Sequence, residues 1–314
     1  MTNKRSRLEA IDGLLLLNKP AGLSSNQALQ RVKRLLNAKK GGHTGSLDPA
    51  ATGMLPLCFG EATKVCAFLL NADKTYRVTA KLGVATDTGD AEGNEIAQQP
   101  VPELSRDDWD AILQGFMGES MQIPPMYSAL KKDGKRLYEL ARKGEIVERA
   151  PRQIRVDEIE LLEFAGTRLV FRVRCSKGTY IRSMVEDIAA KAGTVAHTAR
   201  LHREAVGGVE ADAMMDLTAA EALADKGREA LRERLLPPDV ALTDMPAVSL
   251  DSAGVEAFRL GKIVALDETQ DQGLARVYGP AGKQEFLGVG ELSGDGHVAP
   301  KRVFMPGPEK TPDN

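Results

Sequence analysis

The densest collection of reactive groups lies in residues 41–64, GGHTGSLDPAATGMLPLCFGEATK, where one imidazole (His43), two hydroxyls (Thr44, Ser46) and one carboxylate (Asp48) fall close together. Glycines at 41, 42, 45, 53 and 60 and prolines at 49 and 56 break every regular period there. Glycine opens backbone conformations closed to other residues, and proline fixes one while removing a donor. The segment therefore reads as a shaped loop with two short apolar pieces. A stiff loop that presents a single carboxylate can hold a nucleophile or a general base. The same residues admit a second reading: Asp48, Pro49 and Ala50 also spell a helix start, with Asp as N-cap and Pro first in the helix. On residue types alone the cap is the stronger reading, although Gly53 would end such a helix after barely one turn.

Elements able to hold such a loop are spelled out around it. Gly13–Lys19 is an apolar strand candidate ended by Pro20-Ala21-Gly22, and Ser24 or Ser25 can cap a helix through about Asn37. Leu29, Val32, Leu35 and Leu36 form its apolar stripe, with Arg31, Lys33 and Arg34 on the other face. Residues 65–70 are apolar, and Lys74–Leu82 alternates as a half-buried strand should, with Tyr76 in that alternation. A strand tyrosine ordinarily packs in the core with its hydroxyl hydrogen-bonded. Residues 86–110, with DTGDAEGN inside, read as an acidic, solvated connection. Residues 136–143 suit a short helix with Leu137, Leu140 and Ala141 inward and Gly144 as its stop. Strand candidates follow at 154–162 and 169–175. SKGTYIRS (176–183) then turns into a helix predicted over 184–192, so that Tyr180 and Arg182 alternate with Thr179 and Ile181. Taken alone, Arg182 is a surface arginine, Tyr180 a packed aromatic and Lys19 a solvated strand-end lysine. Residues 212–234 read as one acidic helix ended by Pro237-Pro238. From about Met245 the chain is Gly-rich with short strand candidates at 275–278 and 286–289, which fits a small β-barrel. Residues 1–10 and the tail after Pro306 are predicted mobile and disordered.

The stretch 41–64 is similar, contiguously, to the signature loop of the bacterial tRNA pseudouridine-55 synthases, the TruB family. NKPAGLSSN (18–26), the basic KKDGKRLYELARKG (131–144), SKGTYIRS (176–183) and ARLHR (199–203) resemble further family stretches, so the likeness covers nearly the whole chain. Ser46 and Ala51 stand where related sequences vary in size. The resemblance implies a catalytic Asp48 with Arg182 as its ion-pair partner. A neighbouring guanidinium would keep the carboxylate ionised and aimed, through a bidentate geometry that lysine cannot offer. It further implies that Tyr76 stacks on the target uracil and serves in proton transfer, that Tyr180 lines the uracil pocket, and that Leu201 contacts the base. His43, which alone would be a hydrogen-bonded turn residue, is implied to fill the space a flipped base vacates. Lys19 and Lys64 are carried as supporting candidates. The implied fold is α+β: a pseudouridine-synthase fold with a mainly antiparallel mixed sheet flanked by helices (residues 1–245). Within it an RNA-binding insertion spans about 124–152, and a small C-terminal PUA-like β-barrel occupies 246–314.

Composition agrees with a globular protein. Of 314 residues, 42% are hydrophobic and 27% charged, which suffices for a full core. Three cysteines without a CxxC spacing give no metal-type motif and suit a reducing compartment. No apolar run approaches a membrane span, and Leu14–Leu17 is too short for a signal-peptide core, so a cytoplasmic protein is expected. The net charge of −2 hides a segregation. Residues 1–40 carry nine Lys/Arg against two Asp/Glu, 126–155 nine against four and 172–203 seven against two, while 86–110 and 204–244 are acidic. Such segregation can present one basic face to a polyanion, although clustered solvated faces would look the same. Walker loops, dinucleotide fingerprints, Cys/His zinc clusters and Ser-His-Asp arrangements are absent from the sequence. Pseudouridine formation calls for none of them, so no cofactor and no metal are expected. The expected partner is the T-arm of tRNA, bound by a monomer without a protein subunit. The alternative is a non-catalytic tRNA-binding or tRNA-folding protein on the same fold. A carboxylate set against RNA speaks against it, because binding alone does not require one.

Overall fold

The structure, a computed structural model, describes residues 7–132, 134–209, 211–280 and 285–305. The predicted mobile N-terminus up to residue 6 and the tail after Pro306 lie outside the described residues. Residues 7–10, read as mobile with them, are tied down. The Glu9 N–H donates to the Asn37 carbonyl at 2.9 Å, and its carboxylate meets Arg232 at 2.7 Å.

Four leucines, Leu14 to Leu17, fill the middle of strand β1 (Gly13–Lys19). An unbroken apolar run suits a strand covered on both faces. Leu15 and Leu17 pack on helix α1 (Ser25–Leu35), while Leu14 and Leu16 join a core on the opposite side. Ser24 starts α1 with a capping box: its hydroxyl accepts the Gln27 N–H, and the Gln27 side chain accepts the Ser24 N–H. Strands β2 (Gly41–His43) and β3 (Thr52–Phe59) flank the link that carries Asp48 and pair antiparallel, and β1 pairs along the length of β3. Helix α2 (Cys66–Asn71) leads into β4 (Lys74–Leu82), whose bounds match the alternation in the sequence.

The acidic stretch is more ordered than its composition suggests. Strand β5 (Val84–Thr86) pairs with β6 (Glu95–Gln98), and α3 (Arg106–Gln114), capped by Ser105, buries Trp109 and Leu113. After β7 (Gly118–Gln122) comes the insertion, a hairpin of β8 (Lys131–Lys132) and β9 (Lys135–Arg136) followed by α4 (Leu137–Ala141), which buries Leu137 and Leu140. Strands β10 (Arg152–Ala165) and β11 (Arg168–Cys175) precede α5 (Ile181–Lys191). That helix begins three residues earlier than expected, so Arg182 lies in its first turn and does not continue a strand alternation. Strand β12 (Ala196–Val206) and the short β13 (Met215–Asp216) follow. The single helix expected over 212–234 is two, α6 (Leu217–Lys226) and α7 (Arg228–Arg232), parted at Gly227, whose φ of +138° suits glycine.

Among the described residues nine strands form one mixed sheet in the order β13-β1-β3-β12-β4-β11-β10-β7, with β2 beside β3. Neighbours are antiparallel except β13–β1 and β12–β3, which are parallel. Helices α3 and α5 cover β4, β10 and β11 through Trp109, Leu113, Ile181, Met184, Val185 and Ile188. The C-terminal unit comprises β14 (Ala247–Ser249), α8 (Ser252–Arg259), β15 (Val264–Ala265), β16 (Gly273–Tyr278), β17 (Phe286–Leu292) and β18 (His297–Val303). Its five strands run in the order β14-β16-β17-β18-β15. The α+β architecture expected from the sequence holds. Among the described residues no helix is long and apolar enough to cross a membrane.

Candidate active site

Asp48 lies in the link between β2 and β3. Its carbonyl accepts the Ala51 N–H at 3.1 Å, so residues 48–51 close a β-turn that enters β3 directly. This overturns the helix-cap reading. The reason lies in β3: Gly53 has φ +99°, and a Cβ there would sit 2.3 Å from the Arg203 carbonyl of β12. The chain must run extended beside β12 at that point.

Both flanks of Asp48 are pinned. The buried Ser25 hydroxyl accepts the Leu47 N–H at 2.8 Å and donates to the Leu47 carbonyl at 3.1 Å. Lys19, read from the sequence as a solvated strand-end residue, is fully buried. Its ammonium donates to the carbonyls of Pro49 (3.2 Å), Leu23 (2.7 Å) and Pro20 (2.9 Å). Burial pushes its pKa down to about 8, against the pull of Asp48. Lys19 therefore supports the loop backbone. Buried Arg203 joins the ends of the link, donating from Nε to Met54 O at 2.7 Å and from Nη2 to Gly45 O at 3.1 Å.

The first turn of α5 delivers Arg182, 5% exposed, to this loop. Its Nε lies 3.0 Å from Asp48 Oδ2. Nη1 donates to Thr88 O at 2.8 Å and stands 3.8 Å from Asp90 Oδ2, and Nη2 donates to Tyr127 O at 2.7 Å. The two-pronged grip expected on one carboxylate is thus spread over four acceptors, which fixes the guanidinium plane from several sides. Sequence reasoning missed Asp90, because its stretch was read as solvated. Its one legible clue was the turn spelling: Asp90 Oδ1 accepts the Thr88 hydroxyl at 2.7 Å and the Glu92 N–H at 3.1 Å.

Tyr76, Tyr180 and Leu201 converge beside this pair. Tyr76 of β4 lies opposite Arg203 of β12, and burial raises the pKa of its phenol, with the Arg203 guanidinium acting against the rise. Tyr180 immediately precedes α5, and its phenol is likewise raised by burial. Leu201, opposite Val78, packs at the edge of the core under the same face. His43 ends β2, and its Nδ1 is buried without a hydrogen-bond partner. Burial first, then Arg203, lowers its pKa, which favours the neutral ring. The turn-type hydrogen bonding that a histidine in a Gly-rich loop suggests is absent at that nitrogen.

Lys64 is not brought to this cluster. The eight residues of β3 carry the chain away from Asp48 by roughly 25 Å. There Lys64 pairs with Glu61, donates to Val303 O at 2.7 Å and lies 5.7 Å from the Phe304 ring centroid. It serves the contact with the C-terminal unit.

Asp48 itself is a crowded carboxylate that stays open to solvent. Burial raises its pKa above the ordinary value, Arg182 works against that rise, Asp90 adds to it and Lys19 opposes it. Yet 43% of the side chain faces solvent, so a substrate has access. A wet, oriented carboxylate beside two tyrosines can act as nucleophile or base on a bound substrate.

Three family models cover the chain from residue 33 to 304 almost without gaps. They are TruB family pseudouridylate synthase (N terminal domain) over 33–181, tRNA pseudouridylate synthase B C-terminal domain over 182–243, and Pseudouridine synthase II TruB, C-terminal over 246–304. The 181/182 junction falls inside α5, between Ile181 and Arg182, so it marks no structural boundary. The tRNA pseudouridine synthase B of Nitrosococcus oceani is 48% identical over 302 residues, 96% of this chain and 97% of that one. That of Chromohalobacter salexigens is 49% identical over 303 residues, with 96% and 97% covered. Among solved structures, an H/ACA RNP bound to a substrate RNA containing 2′-deoxyuridine matches with TM-score 0.72 and 25% identity, over 94% of this chain and 85% of that one. A Cbf5-Nop10-Gar1 complex matches with TM-score 0.72 and 26% identity over the same shares. With near-half identity sustained over almost its whole length, the chain belongs to the TruB family of pseudouridylate synthases.

Proposed function

We propose that the chain isomerises uridine to pseudouridine at position 55, in the T-loop of tRNA, with Asp48 as the carboxylate that opens the glycosidic bond. The observation that carries this reading is the 3.0 Å contact between Arg182 and a solvent-accessible Asp48, beside Tyr76, Tyr180 and Leu201. The relatives named tRNA pseudouridine synthase B support the tRNA substrate. The reaction breaks the bond from uracil N1 to C1′, turns the ring and forms a bond from C5 to C1′. The C5 proton is lost and N1 gains one, so the product is an isomer. Asp48 either attacks C1′ or removes the C2′ proton, and both routes need it ionised, which is the service Arg182 renders. Tyr76 and Tyr180 hold the detached ring by stacking and edge contacts, Leu201 closes an apolar wall, and Tyr76 is the candidate for proton transfer at C5.

A base in a folded loop must leave its stack to reach this pocket, at a cost of a few kcal/mol. A neutral His43 suits the vacated space, since stacking there gives up little solvation. Lys131, Lys132, Lys135 and Arg136 are exposed on the insertion, where they can meet phosphates, and affinity should fall steeply with salt. In this reading residues 1–245 are catalytic and 246–314 form a PUA-like RNA-binding unit. With ten acids and seven bases, that unit contributes shape more than charge. A monomer acting in the cytoplasm, where tRNA is processed, completes the proposal.

The test is tritium release from an unmodified tRNA transcript labelled at uridine C5. Wild type should release about one equivalent per tRNA, and Asp48→Ala should lose turnover by at least ~10³-fold while its tRNA affinity stays within a small factor. Several equivalents would discard the single-site choice. Tight binding without release would leave the tRNA-binding or tRNA-folding protein as the function. Lost binding with undiminished turnover of bound tRNA would remove Asp48 from the chemistry.

A further inference from the structure

Helix α5 begins without a cap of its own. Tyr180 occupies the N-cap position, its side chain makes no capping hydrogen bond, and no acid stands in the first turn. A helix start leaves backbone N–H groups unsatisfied unless an outside group supplies acceptors. Gln122 supplies one from 58 residues away. Its Oε1 accepts the Tyr180 N–H at 2.8 Å, and its Nε2 donates to the Tyr180 carbonyl at 3.0 Å. An amide can bracket one residue's N–H and C=O in this way because it both donates and accepts.

Gln122 is 5% exposed, ends β7 and stands immediately before the insertion. The same seam continues along the insertion's root. The Ser183 hydroxyl faces Ile123 O at 3.5 Å, and Arg182 Nη2 reaches Tyr127 O at 2.7 Å. One turn of α5 is thereby sewn to the segment that carries the exposed lysines and arginines.

We infer that Gln122 is a positioning residue for the isomerisation: by bracketing the Tyr180 backbone it sets the Arg182 guanidinium against Asp48 and anchors the root of the insertion to the same helix turn. The inference rests on the roles proposed above for Asp48 and Arg182. Burying an amide is unfavourable unless both its ends are paired, and here both are. Removing it leaves the Tyr180 N–H without its partner, while the Tyr180 carbonyl keeps only the Met184 N–H at 3.1 Å, and frees the turn that holds Arg182.

The experiment is a single-turnover rate profile over pH, with tRNA affinity and Tm, for wild type, Gln122→Ala, Gln122→Met, Gln114→Ala and Asp48→Ala. The groups facing Asp48 are Arg182 from α5, Asp90 from the turn after β5, Lys19 from the end of β1, and the two phenols Tyr76 and Tyr180. Only Arg182 and Tyr180 depend on Gln122. When the guanidinium drifts, Asp48 loses its nearest favourable charge and keeps its proton to higher pH. Gln122→Ala should therefore lower the plateau rate about 10- to 100-fold and move the acid limb to higher pH, with tRNA affinity kept within a small factor. Gln122→Met, close to isosteric, preserves core volume and should shift the limb in the same direction; it decides the matter if the alanine variant does not fold. Gln114, which donates to Ile159 O at 2.9 Å away from the site, is the control: its loss should lower Tm only. A wild-type acid limb in both Gln122 variants, with a Tm loss like that of Gln114→Ala, would overturn the inference. Weakened tRNA binding with wild-type turnover of bound tRNA would overturn it equally. Full turnover by Asp48→Ala would instead remove the reading of the site itself, and is seen independently of the Gln122 variants.

Discussion

Asp48 occupies a place that destabilises its own charge. Burial raises its pKa, and the Arg182 guanidinium reverses that rise only in part. A carboxyl whose folded pKa exceeds its unfolded value, near 3.9, contributes stability below that unfolded value. The contribution is lost as pH rises through the folded pKa. At neutral pH the ionised Asp48 is therefore a net cost to the fold, of the kind that persists where chemistry requires a charge. Asparagine keeps the shape and cannot ionise. Asp48→Asn should abolish turnover yet melt at or above the wild-type temperature at pH 7.5, by at most about 3 °C, with the difference vanishing as pH falls toward 4. Melting curves across that pH range check the sign. A lower Tm for the variant at pH 7.5 would mean that leaving Arg182 without its carboxylate outweighs the relief.

At the scale of elements, the catalytic loop is held by parts remote in sequence: Lys19 and Ser25 on one side, Arg203 on the other. Its exit into β3 depends on Gly53, whose missing Cβ lets the Arg203 backbone approach and whose φ of +99° excludes side chains without strain. Gly53→Ala combines both penalties and should cost about 3 kcal/mol or more by urea unfolding, with turnover falling as β3 and β12 separate under Asp48. An unchanged unfolding midpoint would show that the strands accommodate the methyl group. This remoteness explains what the sequence could and could not convey. Strands β1 and β4 and helix α1 follow from local periodicity and a capping box, so their positions were legible. The residue types around Asp48 favoured a helix cap over a catalytic carboxylate, and the family resemblance decided between the two readings, because the turn is set by the β12 backbone. Asp90 and Gln122 escaped notice because they act across the fold, Gln122 on the backbone of a residue 58 positions away. Lys64 ends the signature stretch in sequence, and the length of β3 carries it off. Helix α8 was missed because Gly254 reads as a breaker, although Asp251 caps its N–H at 2.7 Å.

At the scale of the whole molecule, the C-terminal unit would be a separable module if charge alone placed it on RNA, but its attachment is apolar. Val289 and Phe304 share one core with Leu14, Leu16, Met54 and Cys58. Polar contacts seal the rim: Lys64 to Val303 O at 2.7 Å, and the Met305 N–H to Glu61 at 3.2 Å. Strand β1 therefore belongs to two cores at once, with Leu15 and Leu17 serving α1 while Leu14 and Leu16 enter the core that Val289 and Phe304 of the C-terminal unit complete. Phe304, 7% exposed and 5.0 Å from the Phe286 ring, is the largest buried apolar side chain that the C-terminal unit places in this core. Phe304→Ala should remove about 3–4 kcal/mol. The single tryptophan, Trp109, lies on the buried face of α3 in the core of the main sheet, so its fluorescence reports on the catalytic unit alone. Urea unfolding followed by Trp109 emission and by far-UV circular dichroism should give coincident transitions, both moved to lower urea by Phe304→Ala. A Trp109 transition that stays in place while dichroism develops an early partial phase would mean that the C-terminal unit unfolds by itself, and that the shared leucine strand does not couple the two.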